Sequence, residues 1–237
     1  MIKSIFSKIG KGGAAVDLQL TGSTYVLGGT LEGQIVVRGG GVPQMIHSLS
    51  VNLLVEYEIK GLPSTKVMGS VSAAEQFVID ADEVITLPFI YPLPEDLPIS
   101  CQSVSYSLCT CLELEDGTDV RDTETVTLKG TDAFLQIFYG LGALGFRESA
   151  ESGEFNGSLQ TFVFFPAVLM KEEIKEVHIQ AGSENSGIRI LLETYCREGV
   201  INRKEHFFLN EKLRNRQDVE DELKAKLAYM AKARNIS

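Results

Sequence analysis

Three histidines are the first side chains to test for catalysis, because a serine or cysteine nucleophile needs a neighbouring base to take its proton. They are His47, His178 and His206. None of them lies beside a nucleophile elbow, and the motif Gly-x-Ser-x-Gly does not occur in the chain. We interpret all three as surface or packing residues, and the sequence predicts no catalytic residue and no enzymatic activity.

Two glycine-rich segments, Gly10 to Gly13 and Gly39 to Gly41, have the composition of phosphate-binding loops. The first lacks the Lys-Ser/Thr pair at the offset that such a loop requires, and the second has no lysine. Both segments are explained as connections between strands, where glycine adopts turn conformations at no steric cost. No nucleotide or other cofactor is predicted.

Two cysteines, Cys109 and Cys111, are separated by one residue within a predicted strand. Their side chains then point to the same face, roughly 7 Å apart, which is compatible with a shared metal ion. The neighbouring sequence does not supply the two further ligands, and free cysteine is a common small buried residue. Four irregularly spaced cysteines also do not form the disulfide framework of a small secreted domain. We therefore expect four reduced thiols and no metal site.

The segment between residues 116 and 122 offers three carboxylates, Asp116, Asp119 and Asp122, of the type that binds a hard cation. Their spacing does not match the twelve-residue Ca²⁺ loop, and acidic residues at a hairpin tip need only solvent. We interpret the segment as a solvated hairpin without a metal. A small-ligand or cation-binding sandwich is the alternative function, and a bound ion at these three residues would indicate it.

The composition restricts the classes of partner. The 237 residues carry a net charge of −10, and no clustered Lys/Arg stripe that would track a phosphate backbone is present. No apolar run reaches about 18 residues, and the first ten residues lack the apolar stretch of a signal peptide. These features predict a cytoplasmic protein that binds neither nucleic acid nor membrane.

The first part of the chain alternates between apolar and polar residues, the period of a half-buried strand. The longest example runs from Val51 to Ile59 in the segment VNLLVEYEI, where every second residue is aliphatic or aromatic. Further short strands at similar spacing predict a sandwich. The segment PFIYPLPEDLP contains four prolines and is predicted to lie at a sheet edge or crossover, because proline donates no ladder hydrogen bond.

Helical periodicity appears twice. Residues Thr131 to Phe146 predict a linking helix capped by Thr131 or Asp132. A second β unit follows, and the chain ends in a helix with an apolar stripe made of Val219, Leu223, Leu227 and Met230. This stripe is the candidate interaction site; packing on the protein's own body is the alternative. A short basic N-terminal helix with Ile2, Ile5, Phe6 and Ile9 is expected to pack on the body as well.

Several segments together resemble a known family. The sequence YVLGGTLEGQI, from Tyr25 to Ile35, resembles the strand-turn-strand opening of arrestin-like domains. The stretch from Leu87 to Tyr106, with its Leu-Pro-Phe, Leu-Pro and Pro-Ile-Ser groups, is similar to a later part of those domains. The N-terminal segment running into GAAVDLQL and the helix ending in Leu-Gly-Phe narrow the resemblance to the bacterial sporulation-control protein M family, over essentially the whole chain.

That resemblance implies two arrestin-like β-sandwich domains, no catalytic centre and a regulatory role exerted through protein contacts. We therefore expect an all-β fold with an N-terminal sandwich at residues 1–129 and a C-terminal sandwich at 130–209, opened by the linking helix. Residues 210–237 are expected to form the C-terminal amphipathic helix. The expected function is a non-enzymatic regulatory scaffold whose partners are other proteins, with a homo-oligomer through a strand edge or the C-terminal helix as a further option.

Overall fold

The structure is a computed structural model that describes residues 13–232. The predicted N-terminal helix therefore lies outside the described residues. The described chain divides into two compact units. The first spans residues 13–129 apart from 58–60 and 101–104, and the second spans residues 130–232 together with those two short segments.

Unit 1 consists of two sheets. Its strands are β1 (Ala15–Leu20), β2 (Thr24–Val26), β3 (Thr30–Arg38), β4 (Gln44–Ile59), β5 (Leu62–Ile79), β6 (Val84–Pro92), β7 (Val104–Leu114) and β8 (Asp119–Lys129). One sheet has the order β1-β3-β6, and the other has the order β2-β8-β7-β4-β5. The sheets bury their inner rows of side chains in one core.

The alternation along β4 produces this core. Val51, Leu53 and Val55 are fully buried, while the intervening residues are at least partly exposed. The strand continues to Ile59, where Lys60 and Gly61 adopt φ values of 53° and 76° and reverse the chain into β5. Two consecutive positive φ values are the geometry of a tight hairpin turn.

Strand β5 is much longer than the sequence pattern predicts. Alternation indicates a strand only from about Glu75 to Asp80, whereas β5 begins at Leu62 and runs for 18 residues. The additional part, LPSTKVMGSVSAA, is rich in small and polar residues and follows no apolar period. Ile79 is the one buried side chain of β5, so pairing with β4 rather than core burial defines this strand.

Unit 2 contains a single sheet and three helices among the described residues. Its elements are α1 (Asp132–Ala143), β9 (Phe146–Glu148), β10 (Glu154–Phe155), β11 (Gln160–Pro166), β12 (Ile174–Glu184), β13 (Gly187–Cys196), β14 (Ile201–Leu209), α2 (Asn210–Leu213) and α3 (Arg216–Lys232). The strand order is β10-β11-β12-β13-β14, with β9 paired to β11. Helices α1 and α3 cover a face of this sheet, so helices supply the layer that a second sheet supplies in unit 1.

Helix α1 begins as its sequence predicts. The Thr131 side-chain oxygen accepts a hydrogen bond from the Phe134 amide at 3.2 Å, which satisfies one of the free N–H groups of the first turn. The helix ends at Ala143, three residues before the predicted end. Gly145 has a φ of +82°, a conformation that terminates a helix, and Phe146 already belongs to β9.

Aromatic packing joins α1 to its sheet. The rings of Phe138 and Phe162 lie 4.7 Å apart between centroids, and those of Phe138 and Phe164 lie 5.2 Å apart. Both pairs have the edge-to-face geometry that aromatic rings favour. The helix is therefore fixed to β11 along one side.

Candidate functional site

The apolar stripe of α3 faces the interior of unit 2. Val219, Leu223, Leu227 and Met230 have exposed fractions between 0 and 2%. The stripe packs against α1 and against strands β13 and β14. In this position the helix presents its polar side chains to solvent, and the role of the stripe in binding another protein stays a prediction.

A glycine in α1 allows the two helices to approach closely. A Cβ atom placed on Gly140 would lie 2.8 Å from Leu223 Cδ1 and 3.0 Å from Val219 Cγ1. A larger side chain there would separate the helices. This contact explains why α1 keeps a helix-weakening glycine at that position.

The far end of α3 is held by a polar contact. Asn202 of β14 donates its side-chain amide to the carbonyl oxygen of Met230 at 2.7 Å. Carbonyl groups in the last turn of a helix have no partner within the helix, so the amide supplies one. In the middle of the helix, Glu222 forms ion pairs with Lys226 at 3.0 Å and with Lys212 at 3.1 Å.

His206 lies beneath these charged groups on β14. Its Nε2 atom is buried and has no hydrogen-bond partner within residues 13–232. Burial first, and then the positive charges of Lys226 and Lys204, lower the pKa of His206 to about 4, while Glu222 opposes them. The imidazole is therefore neutral at pH 7.

Stability should depend on pH through His206. The unfolded chain takes up a proton on this residue near pH 6.5, but the folded chain does so only near pH 4. Above pH 6.5 the imidazole is neutral in both states, and the contribution of His206 to folding stability is fully present. As the pH falls from 6.5 towards 4, only the unfolded chain gains the proton, so the folded state loses stability. For a half-buried ring we expect a loss of about 1 to 2 kcal/mol after solvent screening.

Chemical denaturation of the wild type and of His206→Leu at about pH 7.5 and pH 4.5 measures this difference. The variant should lose less stability than the wild type by that amount. The matched control is His47→Gln, which removes an exposed imidazole instead of a buried one. Equal losses in the wild type and His206→Leu would contradict the prediction.

The other two histidines lie on other strands. His47, His178 and His206 belong to three different strands, β4, β12 and β14. His178 contacts Glu176 at 3.2 Å, and its ring lies 4.5 Å from the ring of Tyr195. Within unit 2, the strands of His178 and His206 are separated by β13.

A group of three carboxylates in unit 1 is a second candidate site, and sequence reasoning missed it as a group. The nearest oxygens of Asp17, Asp122 and Glu124 all lie within 4.8 Å of one another. Asp17 and Asp122 are buried and Glu124 is half-buried. Burial raises the pKa of Asp122 and of Glu124, and the negative charges of the neighbouring acids raise both further.

Position in β8 explains two members of this group. Asp122 and Glu124 alternate with exposed residues and therefore occupy the inner row of the strand, between Val120 and Val126. The amide of Leu18 in β1 donates to Asp122 Oδ2 at 2.8 Å, which brings β1 and its Asp17 against β8. Two acids at alternate positions in a buried row were the sequence signal that could have indicated this group.

The three acids of the predicted hairpin do not form one group. Asp116 accepts a hydrogen bond from the Thr118 amide at 2.8 Å and belongs to the exposed turn. Asp119 forms an exposed ion pair with Arg121 at 3.1 Å. Asp122 is buried with Asp17 and Glu124 instead, so the three hairpin acids do not converge on one point.

The side chains of the two cysteines of β7 lie close together. The Sγ atoms of Cys109 and Cys111 lie 3.7 Å apart, closer than the strand repeat alone predicts. Burial raises the pKa of the Cys111 thiol, and the Cys109 side chain adds to that increase. Both thiols occupy the outer face of the sheet, opposite Thr110 and the inner row.

Strand β5 forms an end of the five-stranded sheet, and no strand among residues 13–232 pairs with its other side. Its central segment from Val67 to Ala74 contains no charged residue and no proline. Lys66 and Glu75 flank that segment. Unpaired strand edges of this kind can accept another strand.

A helix that spans a membrane needs about 20 mostly apolar residues. No helix within the described part of the chain combines that length with sufficient apolar character.

Comparison with known proteins identifies relatives. The family model described as SpoOM protein matches residues 2–198. The Sporulation-control protein spo0M of Bacillus subtilis (strain 168) is 25% identical in an alignment of 209 residues, and the match covers 81% of this chain and 79% of the relative. The crystal structure of Spo0M, a sporulation control protein from Bacillus subtilis, matches with a TM-score of 0.82 at 21% identity and covers 92% of this chain and 99% of that chain.

The structural match shows the fold, and it confirms the predicted mostly β fold class with its linking and C-terminal helices. Two sheets pack as a sandwich in unit 1, whereas helices rather than a second sheet cover the sheet of unit 2 among the described residues. The predicted family is confirmed by a family model that covers most of the chain. The curated relative is named a sporulation-control protein, which agrees with the expected regulatory class at the level of the family. The chain belongs to the SpoOM sporulation-control family.

Proposed function

We propose that this chain is a non-enzymatic regulatory scaffold of the sporulation-control type, acting in the cytoplasm through contacts with other proteins. Its membership of a regulatory family is the observation that carries the proposal. A scaffold needs a surface that binds a partner protein without catalysing a reaction. Two surfaces of this chain are candidates, the stripe of α3 and the edge of β5.

The edge of β5 fits this role better than the stripe of α3. The four stripe residues are already buried within unit 2, so a partner would first have to displace the helix. Strand β5, in contrast, has 18 residues of which one is buried, and an uncharged central segment. An extended segment of a partner protein can add to such an edge through backbone hydrogen bonds, with side-chain pockets giving specificity.

A lysine substitution test examines the edge directly. Val67 and Ser70 are exposed positions on β5, and the double variant Val67→Lys, Ser70→Lys places charge where natural proteins place it to block edges. The matched control is Thr123→Lys, Thr125→Lys on β8, which adds the same charge at exposed positions inside the same sheet. Both variants leave the buried rows unchanged.

Proteins captured from host lysate by the full chain are identified by mass spectrometry, and a photo-crosslinker at Ser72 reports contact with β5. We expect a defined partner that is lost in the β5 variant, kept in the β8 control and crosslinked at Ser72. Sedimentation of the purified chain shows whether the partner is a second copy. Capture that is the same in all three proteins, or no crosslink at Ser72, would contradict the edge as the partner surface.

A further inference from the structure

The inner face of β8 and β7 contains an oxygen-rich group within an otherwise apolar core. Asp122 and Glu124 interrupt the row that includes the buried Val120 and Val126. Asp17 joins them from β1. Placing three carboxylates together in a core opposes folding unless hydrogen bonds, a positive charge or protons compensate them. The Leu18 amide donates to Asp122 and the Gln19 side-chain amide donates to Asp17, which compensates part of this cost but leaves the mutual repulsion of the acids.

A fourth oxygen occupies the same inner face of the sheet. Thr110 is directly opposite Asp122 in the antiparallel pairing of β7 with β8, so the two side chains share the inner face. Thr110 is fully buried, and none of the described residues forms a hydrogen bond with its hydroxyl oxygen. A buried hydroxyl without a partner requires an explanation, and an ion or water at that position is a common one.

We propose that Asp17, Asp122, Glu124 and Thr110 form a calcium site in unit 1. Calcium takes six to eight oxygen ligands at about 2.4 Å, so ligands of one ion lie up to about 4.8 Å apart. The spread of the three carboxylates, 4.8 Å at most, fits inside that limit. One oxygen of each carboxylate converges on this point, and the Thr110 hydroxyl adds a fourth ligand. Asp17 Oδ2 accepts a hydrogen bond from Gln19 Nε2. Asp122 Oδ2 accepts one from the Leu18 amide, so water or second carboxylate oxygens complete the shell.

The environment selects calcium over magnesium. Magnesium gives up its water ligands reluctantly and usually keeps several of them. Two of the three acids here are buried, which leaves little space for a hydrated ion. Glu124 is half-buried and forms the side of the site that solvent reaches. A flexible shell of carboxylates with few waters is the preference of calcium.

The site is different from the acidic hairpin and independent of the scaffold role. Asp116 and Asp119 are exposed and have partners in the turn, so they take no part in it. The site also joins β1 to β8, because Asp122 already accepts the Leu18 amide across the two sheets. Calcium bound there would stabilise unit 1 by linkage, since the unfolded chain lacks the site.

Isothermal titration of the full chain with CaCl₂, after removal of ions by chelator, tests the site. We expect one Ca²⁺ per chain with saturable binding below about 1 mM, the range of the weaker protein calcium sites. The melting temperature should rise with Ca²⁺ and should rise less with Mg²⁺. Absence of saturable binding up to about 5 mM, or tighter binding of Mg²⁺ than of Ca²⁺, would overturn the assignment.

Three variants locate the binding. Glu124→Gln removes a half-buried charge and should weaken Ca²⁺ binding at least tenfold, while the nearly isosteric Thr110→Val should weaken it without loss of the fold. Asp119→Asn removes an exposed charge of the neighbouring hairpin and should bind as the wild type does. Affinity that is unchanged in both Glu124→Gln and Thr110→Val, or lowered equally in Asp119→Asn, would show binding to the surface and overturn the site.

Discussion

Leu223→Ala is expected to lower the free energy of unfolding by about 2 to 5 kcal/mol, the range for truncating a fully buried leucine. Leu223 has no exposed surface and lies in the middle of the α3 stripe. Its Cδ1 atom packs over Gly140, where α1 and α3 approach closely. Removing three carbon atoms leaves a cavity that the rigid glycine contact cannot fill, so the upper part of the range is expected.

Lys224→Ala is the matched control, because Lys224 is the exposed neighbour in the same helix and alanine maintains helix propensity. Its effect should stay within about 0.5 kcal/mol. Hydrogen exchange then locates the change, with faster exchange expected in α1 and β13 for Leu223→Ala. A loss below about 1 kcal/mol would mean that α3 is only loosely docked, and the helix would return as a candidate partner surface.

Phe89→Ala is expected to have a similarly large effect in unit 1, about 3 to 5 kcal/mol. Phe89 of β6 is 2% exposed and is one of the largest fully enclosed side chains. It is paired with Gly33 of β3, which contributes no side chain beside it. The ring therefore fills space that no neighbouring residue on β3 can take over when the ring is removed.

The next residue in the strand is the control for this prediction. Ile90 points outward and is 63% exposed, so Ile90→Ala should change the stability by less than about 0.5 kcal/mol. Denaturation curves of the two variants provide the comparison. Faster hydrogen exchange should appear in β3 and β6 for Phe89→Ala, and equal effects of the two substitutions would mean that the sandwich face is assigned incorrectly.

The sequence determines the local structure where one physical signal dominates. The period-two pattern of Val51, Leu53 and Val55 predicts a strand with one buried face, and the structure buries all three residues. The four-residue stripe of the last helix and the Thr131 cap are equally local signals, since both depend on residues close together in one helix. The family resemblance is also a property of the sequence, because it depends on motifs along the chain.

The same local signals fail where no single period dominates. Most of β5 is strand without apolar alternation, because a hydrogen-bonded neighbour rather than a buried face holds it. The end of α1 is decided by Gly145, whose left-handed conformation the helical pattern of the flanking apolar residues does not reveal. In both cases the backbone partner or conformation, not the side-chain period, sets the boundary.

The tertiary structure alone decides which distant residues meet. Leu18 and Asp122 are 104 positions apart, and only the packing of β1 against β8 brings Asp17 to Asp122 and Glu124. The sequence instead groups Asp122 with Asp116 and Asp119, which are near in the chain but point to solvent. Likewise, the sequence of the last helix predicts that its apolar stripe is buried. It does not predict which residues bury the stripe, and in the structure these include Gly140 and its neighbours in α1. Sequence patterns report the period and chemistry of neighbouring residues, but contacts between strands and helices far apart in the chain arise only when their buried faces pack together.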